Sequence, residues 1–396
     1  MTTTQQQRSS LDQPQVTVLG AGYGGLLAAL RLAPHARVTL IDPADRFTER
    51  VRLHERAAAR TDISHPLAGL LRGTGIRHVA ARATALAPAA RTVTTEDGQP
   101  LPYDYLVYAL GSRTGTPAPA TSASAPSAAA QAAQAADAAA ESHGRLHTAE
   151  SAAALRDRLR GGPGSVAVVG GGLTGIEMAA ELAETYPDRS VRLLSSGPVA
   201  AGHSARSRDH IRTVLSGLGV RIEEGATVPG PEAVDADTVV WSASMVPNTG
   251  LAAAAGLTLD PTTGRIAVDE TLRSVSHPGI YAAGDAAAAH NATAGALRMG
   301  CATALPTGSR AASSIISAIR GEQPGPLKFA YVIQCVSLGR RDGVVQFVRG
   351  DDSPRSRSLT GRTAALFKEQ IVLSTIRTFQ LARRTPGLIP AIPGMS

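Results

Sequence analysis

Gln15-Val-Thr-Val-Leu-Gly-Ala-Gly-Tyr-Gly-Gly-Leu-Leu-Ala-Ala-Leu-Arg-Leu32 is the stretch that decides the fold. A short apolar run, Val16 to Leu19, stops at Gly20. Leu26 to Leu32 then reads as a helix rich in Ala and Leu, and Arg37 to Ile41 as a second strand. Strand, turn, helix, strand is the βαβ unit of a parallel sheet. Gly20, Gly22 and Gly25 fit the GxGxxG spacing. The first allows the tight turn, the second a close backbone approach to a pyrophosphate, and the third close helix–strand packing. The free N–H groups and dipole of the helix then face the phosphates. Asp42 ends the second strand, 22 residues after Gly20, where a carboxylate accepts hydrogen bonds from ribose hydroxyls.

The pattern returns 150 residues later, with Ser165 to Val169 as strand and Gly170, Gly172 and Gly175 as the turn. Ile176 to Tyr186 follows as helix and Ser190 to Leu194 as the next strand. This second strand ends in Ser195 and Ser196, without an acid. A carboxylate there would repel a 2′-phosphate and a neutral serine does not. Arg206, Arg208 and His203 follow within reach of a loop, and arginine accommodates such a phosphate. The expectation is NADPH slightly ahead of NADH. A helix over 205–218, strands at 220–223 and 238–242 and a strand Gly279 to Ala283 closed by Gly284-Asp285 complete the α/β pattern. A hairpin around Gly339 to Gly343 and a last helix over 364–382 follow. The fold class is α/β: two Rossmann-like dinucleotide-binding domains and a small C-terminal α+β region.

Composition removes other classes. The chain has 396 residues, a net charge of +7, 43% hydrophobic and 3% aromatic residues. Lys328 and Lys368 are its only lysines, so the positive charge is almost all arginine. The arginines are scattered, and a nucleic-acid binder shows a localised basic run with interleaved aromatics. Cys301 and Cys335 make neither a disulfide framework nor a zinc site, so no metal is expected; both read as small buried side chains. The first residues lack an apolar signal core and no apolar run reaches about 18 residues, which leads to the expectation of a cytoplasmic protein, peripheral to a membrane at most.

Two dinucleotide folds in one chain resemble the FAD-dependent pyridine nucleotide–disulfide oxidoreductase superfamily. Tyr105 to Gly111 is similar to its strand ending in Ala-Thr-Gly. Gly279-Ile-Tyr-Ala-Ala-Gly-Asp285 is similar to its late FAD motif, and Val246-Pro-Asn248 to its Pro-Asn. The resemblance implies FAD on the first fold, held by Gly20, Gly22, Gly25, Asp42, Gly111 and Asp285, with Asp285 on a ribitol hydroxyl. It implies NAD(P)H on the second, at Gly170, Gly172, Gly175, Ser195 and Arg206. The second fold would be inserted in the first: residues 1–14 a disordered tail, 15–144 the first FAD part with a low-complexity insertion at 114–142, 145–266 the NAD(P) domain, 267–325 the second FAD part and 326–396 the C-terminal region.

The segment Asp45 to Glu55 has no cysteine, so no thiol relay is expected. Gly172-Leu-Thr-Gly-Ile-Glu177 and Ser337-Leu-Gly-Arg-Arg341 resemble the type II NADH dehydrogenase and apoptosis-inducing-factor-like branch. Met299 to Gly308 departs from the quinone dehydrogenases by lacking a glutamine. The implied activity is hydride transfer from NAD(P)H to FAD and on to a small-molecule, non-thiol acceptor: a quinone, oxygen or an intermediate. A flavin-binding redox sensor is the alternative. The resemblance gives Glu177 the catalytic position, to order the nicotinamide or relay a proton, against a helix-start carboxylate favoured by the dipole. It sets Arg52 and His54 beside the flavin, against a surface helix. A helix beginning near Pro306 would direct its N-terminus at the flavin. The last helix gathers Phe367, Val372, Ile376 and Phe379 on one face, which suits a membrane surface, its own domain or the second subunit of a homodimer.

Overall fold

Two five-stranded parallel sheets carry the two glycine turns. The computed structural model describes residues 13–58, 63–116 and 144–386. The first sheet runs, edge to edge, through Ile280–Ala282, Tyr105–Tyr108, Gln15–Leu19, Arg37–Ile41 and Arg77–Val79. The second runs through Leu146–His147, Thr238–Trp241, Gly164–Val169, Arg189–Ser195 and Arg221–Glu224. All these pairings are parallel. Their central strands are largely apolar because both faces are covered, and every residue of Thr238–Trp241 is buried, whereas the edge strands Arg77–Val79 and Arg221–Glu224 are polar and at most half-buried. In each sheet the glycine-turn strand lies between its successor and a later strand. The chain therefore reverses direction beside the turn and opens a crevice at the strands' carboxyl ends.

The edge strand Ile280–Ala282 reaches the first sheet only after the whole second sheet has been laid down in sequence. The two sheets are joined where Ser112–Thr114 pairs antiparallel with Met245–Pro247. Asn248 ties this joint: its N–H donates to Gly111 O at 2.9 Å and its side chain to Leu110 O at 2.9 Å.

The helix Tyr23–Leu32 is buried on nearly all sides. A second helix, Cys301–Ile319, presses against it where small residues allow backbone contact: a Cβ on Gly308 would lie 2.2 Å from Gly24 O. Arg31 closes the contact by donating to Ser309 Oγ at 2.6 Å and Ser313 Oγ at 2.9 Å. This helix starts at Cys301, not near Pro306, which lies inside it. A proline at the sixth position leaves one carbonyl without its partner. In the next position the Thr307 hydroxyl ties the helix to the Gly-Asp turn, donating to Thr303 O at 2.7 Å and accepting from Gly284 N–H at 2.9 Å.

After the second sheet the chain forms an antiparallel sheet, Ile333–Ser337, Gly343–Val348 and Pro354–Thr360, and then the helix Gly361–Arg384. That helix packs on its own chain: Phe379 is fully buried, 5.1 Å from the Phe47 ring and 6.4 Å from Tyr23. Phe367 does not share its face. At 100° per residue it lies about 140° round from Val372, and it is exposed together with Leu366 and Ile371. The insertion expected at 114–142 and the tail expected at 1–14 fall almost wholly outside the described residues.

Candidate functional site

The two glycine turns have one geometry. Gly20 and Gly170 have φ of +95° and +125°, and the third glycines touch backbone: a Cβ on Gly25 or Gly175 would lie 1.9 Å from the carbonyl oxygen of Gly20 or Gly170. The middle glycines differ. Gly22 has φ −71° and Gly172 φ −77°, values open to any residue, and a Cβ on either would meet no protein atom within 4 Å. Neither backbone strain nor protein packing requires glycine there. What remains is an external group approaching the backbone, which fits a pyrophosphate. The first bond within each helix runs from Leu26 N–H to Gly22 O and from Ile176 N–H to Gly172 O, so the preceding N–H groups have no helical partner. The residues present fit FAD and a nicotinamide dinucleotide.

Around the first turn the expected residues gather. Asp42 Oδ2 accepts from Ala21 N–H at 2.7 Å and Oδ1 from Ala44 N–H at 2.8 Å, so the carboxylate shapes the turn and keeps lone pairs for a ribose. Gly111, at φ +65°, sits over the crevice joint. Asp285 accepts from Ser112 Oγ at 2.6 Å and from Gly300 N–H at 2.7 Å, bracing the start of the helix Cys301–Ile319. Cys301 is exposed at that helix start, against its reading as a small buried side chain, while Cys335 is half-buried and nearer to that reading. Cys301 lies within electrostatic reach of Arg298, Glu177, Lys368 and Asp285. Burial pushes the Cys335 thiol up to about 12, against the pull of Lys368.

Glu177 lies in the second turn of the helix Leu173–Thr185, not the first, so the dipole does not account for it. Its Oε1 accepts from Ser337 N–H at 3.0 Å and from Lys368 Nζ, which also donates to Ser337 Oγ at 2.6 Å. His54 Nδ1 lies 3.7 Å from Glu177 Oε2. Burial holds the His54 imidazole down at about 4, with Glu177 opposing and Lys368 assisting, so it is neutral at pH 7. Glu177, Glu181 and Glu184 follow at i, i+4 and i+7, one face of their helix. The turn 337–341 grips that face: Arg340 reaches Glu181 at 3.3 Å and Glu55 at 3.2 Å, and its N–H donates to Glu184 at 2.7 Å.

Arg52 is buried among carboxylates, with Glu55 at 3.0 Å, Glu369 at 2.5 Å and Glu49 at 3.4 Å. It belongs to a charge cage binding the C-terminal helix rather than to a surface helix. Lys368 escaped the sequence reading. Its signal was rarity: one of two lysines in an arginine-rich chain, and lysine, unlike arginine, gives up its proton readily in a protein.

At the second turn Ser195 is buried against Gly171, where a Cβ would meet its Oγ at 2.2 Å; Ser196 and Arg206 are exposed. His203 is buried and faces Arg298 and Asp352, away from any 2′-phosphate role. The neighbouring strand brings Glu224 opposite Ser195, but that carboxylate accepts from Val199 N–H and Arg212, both at 2.7 Å. Among the described residues no cluster suits a metal ion and no helix is long and apolar enough to cross a membrane.

Comparison with known proteins places the fold in a family. Residues 14–302 match the family model described as pyridine nucleotide-disulphide oxidoreductase. An NADH dehydrogenase-like protein of Mycobacterium tuberculosis is 30% identical over 83% of this chain and 87% of its own. The alternative NAD(P)H-ubiquinone oxidoreductase C1 of Arabidopsis thaliana is 25% identical over 85% of this chain and 74% of its own. Among solved structures, NDH2 from Plasmodium falciparum in complex with NADH superposes with a TM-score of 0.73 at 14% identity, covering 96% of this chain and 99% of that one.

Proposed function

The chain belongs to the pyridine nucleotide-disulphide oxidoreductase family, and on that premise we propose that it is an FAD-dependent NAD(P)H oxidoreductase whose electrons go to a non-thiol, quinone-type small molecule. The observation that carries the reading is the pair of middle glycines, Gly22 and Gly172, each facing space that no protein atom fills. The quinone class follows the ubiquinone oxidoreductase among the relatives. It stands despite the missing glutamine at 299–308, because the acceptor side is built by the C-terminal region instead.

FAD, when bound, supplies the hydride and electron chemistry, and the protein supplies binding and orientation. Gly20, Gly22, Gly25, Asp42, Gly111 and Asp285 hold FAD in this reading, and the start of the helix at Gly300–Cys301 presents its dipole to the ring system. Gly170, Gly172, Gly175 and Arg206 hold the nicotinamide cofactor, with NADPH preferred. Ser195 and Ser196 carry no acid, Glu224 is already paired, and Arg206 stands exposed. Glu177 and Lys368 act as one hydrogen-bonded acid–base pair, with Ser337 fixing both. The pair holds a proton on Lys368 Nζ and is positioned to deliver it. Neutral His54 limits the field at Glu177.

The exposed side chains Phe367, Ile371 and Leu381, with Arg377 and Arg384 beside them, support a peripheral contact with a membrane surface. A second copy of the chain is the competing occupant, and flotation with vesicles separates the two. The test of the activity is anaerobic reduction of the yellow protein by NADH and by NADPH, followed by reoxidation with an acceptor panel. A protein that binds FAD but is reduced by neither nucleotide would leave the redox-sensor reading in its place.

A further inference from the structure

A cavity of about 300 Å³ lies against the site, between the segment 51–55, the turn 337–341 and the C-terminal helix. Its lining includes the buried or half-buried His54, Ser337 and Lys368, the apolar Val51, Leu366 and Val372, and the charged Arg52, Glu55, Glu181, Arg340 and Glu369. Most charges around it cancel. Arg52 is held by Glu49, Glu55 and Glu369, Arg340 by Glu55 and Glu181, and Lys368 by Glu177. Arg341 and Arg362 also line it, are exposed, and make no ion pair among the described residues. Two exposed guanidiniums without an ion pair, on a cavity whose carboxylates Glu55, Glu181 and Glu369 are already engaged by Arg52 and Arg340, are a receptor for an anion: each presents a fixed fork of donors suited to carboxylate, sulfonate or phosphate.

We propose that this cavity is the acceptor site and that the acceptor is a quinone carrying an anionic group, its ring lying along Val51, Leu366 and Val372 toward Lys368 and its anion held by Arg341 and Arg362. The inference rests on the NAD(P)H–quinone reading above. The volume is at the small end of ligand sites and suits one or two fused rings with a short side chain. Reduction of the quinone to the hydroquinone takes two electrons and two protons. The hydride of NAD(P)H supplies both electrons and one proton equivalent, and solvent supplies the other, so NAD(P)H + H⁺ + quinone gives NAD(P)⁺ + hydroquinone. Lys368 Nζ, which lines the cavity, is placed to pass the solvent proton to the quinone oxygen, and the Glu177 carboxylate is beside it to support reprotonation.

The test compares two probes with the same ring, 2-methyl-3-(2-carboxyethyl)-1,4-naphthoquinone and its methyl ester. With the FAD-loaded protein and saturating NADPH or NADH, kcat/KM for the acid should exceed that for the ester by about tenfold or more, the scale of a hydrogen bond to a charged group. Added salt should narrow the gap. In Arg341→Gln/Arg362→Gln the acid-to-ester ratio should fall toward one, and Arg341→Glu should invert it. Equilibrium dialysis of the acid against the oxidised protein reads the same preference without turnover. A wild-type ratio near one, or a ratio unchanged in the double variant, overturns the proposal. So does displacement of the acid by phosphatidylglycerol vesicles with the acid-to-ester turnover ratio at one, which would assign the two arginines to a lipid headgroup. Absence of flavin reduction by either nucleotide would instead strike the underlying reading, and dialysis would still decide the anion site.

Discussion

Gly22 and Gly25 stand three residues apart in one turn, and the structure sets opposite fates for them. A Cβ on Gly25 would lie 1.9 Å from Gly20 O, a backbone atom fixed between the strand Gln15–Leu19 and the helix Tyr23–Leu32. Nothing flexible is there to move, so Gly25→Ala should prevent the first fold from forming and leave little soluble protein. A Cβ on Gly22 meets nothing. That residue caps the helix with ordinary angles, so Gly22→Val should fold, at a cost of about 1 kcal/mol or less for the changed cap. Its loss should fall on FAD. The side chain would occupy the space a pyrophosphate needs and push it from the free N–H groups at the helix start. Losing two hydrogen bonds to a charged group, at about 1.5–3 kcal/mol each, weakens binding by roughly 10²–10⁴-fold. The assay is FAD content after gel filtration and the absorbance titration of apoprotein with FAD, beside circular dichroism and thermal unfolding of the same apoprotein. A yellow Gly22→Val protein with full FAD would refute the cradle. A Gly22→Val protein that misfolds like Gly25→Ala would show that the protein itself needs this glycine.

Glu177→Gln and Lys368→Met should each slow single-turnover flavin reduction or reoxidation with FAD content unchanged, by about 10²–10⁴-fold if the pair moves a proton in the slow step; the double variant should be little worse than either, and additive losses in stopped-flow traces would show that the two act separately. Asp285→Ala should lower both FAD affinity and melting temperature, because Asp285 also anchors Gly300 N–H and Ser112 Oγ; an unchanged apoprotein melting temperature would remove its bracing role. Ser196→Glu and Arg206→Ala should shift preference from NADPH toward NADH, read as the ratio of dissociation constants by fluorescence titration, and a wild type that already prefers NADH strongly would contradict the NADPH assignment. His54, His147 and His203 are each held at about 4 by burial, against 6.5 for a free imidazole. Between those values the unfolded chain binds more protons than the folded one, so stability is lost as pH falls from about 7 toward 4, by up to ~1.4 kcal/mol per pH unit for each histidine. Neither ring nitrogen of His147 has a hydrogen-bond partner among the described residues, so His147→Leu should flatten the pH dependence of the urea midpoint without lowering stability at pH 7.

The local chain by itself determined the two glycine turns, their flanking strands and helices, and the late Gly-Asp motif. Each is a contiguous run in which periodicity, turn chemistry and glycine spacing agree, so the parallel sheets and the glycine turns that open their helices were legible before any contact was known. The start of the helix at Cys301 was not, because Pro306 reads as a helix opener; the helix runs through it while packed against the helix Tyr23–Leu32 by the close approach of Gly24 and Gly308. The exposure of Cys301 and the burial of Arg52 were likewise hidden, since a side chain's surroundings come from segments far away in sequence. Tertiary structure alone decided the site around Glu177. It brings together a helix of the second fold, Ser337 on a C-terminal strand and Lys368 on the last helix, 191 residues from Glu177. Such a pair leaves no periodic trace: each partner sits in its own element for that element's reasons, and their meeting depends on how the C-terminal sheet docks against the row Glu177, Glu181 and Glu184. The same docking leaves Arg341 and Arg362 without carboxylates, a property of which charges remain after all others have paired, and so one that exists only in the folded chain.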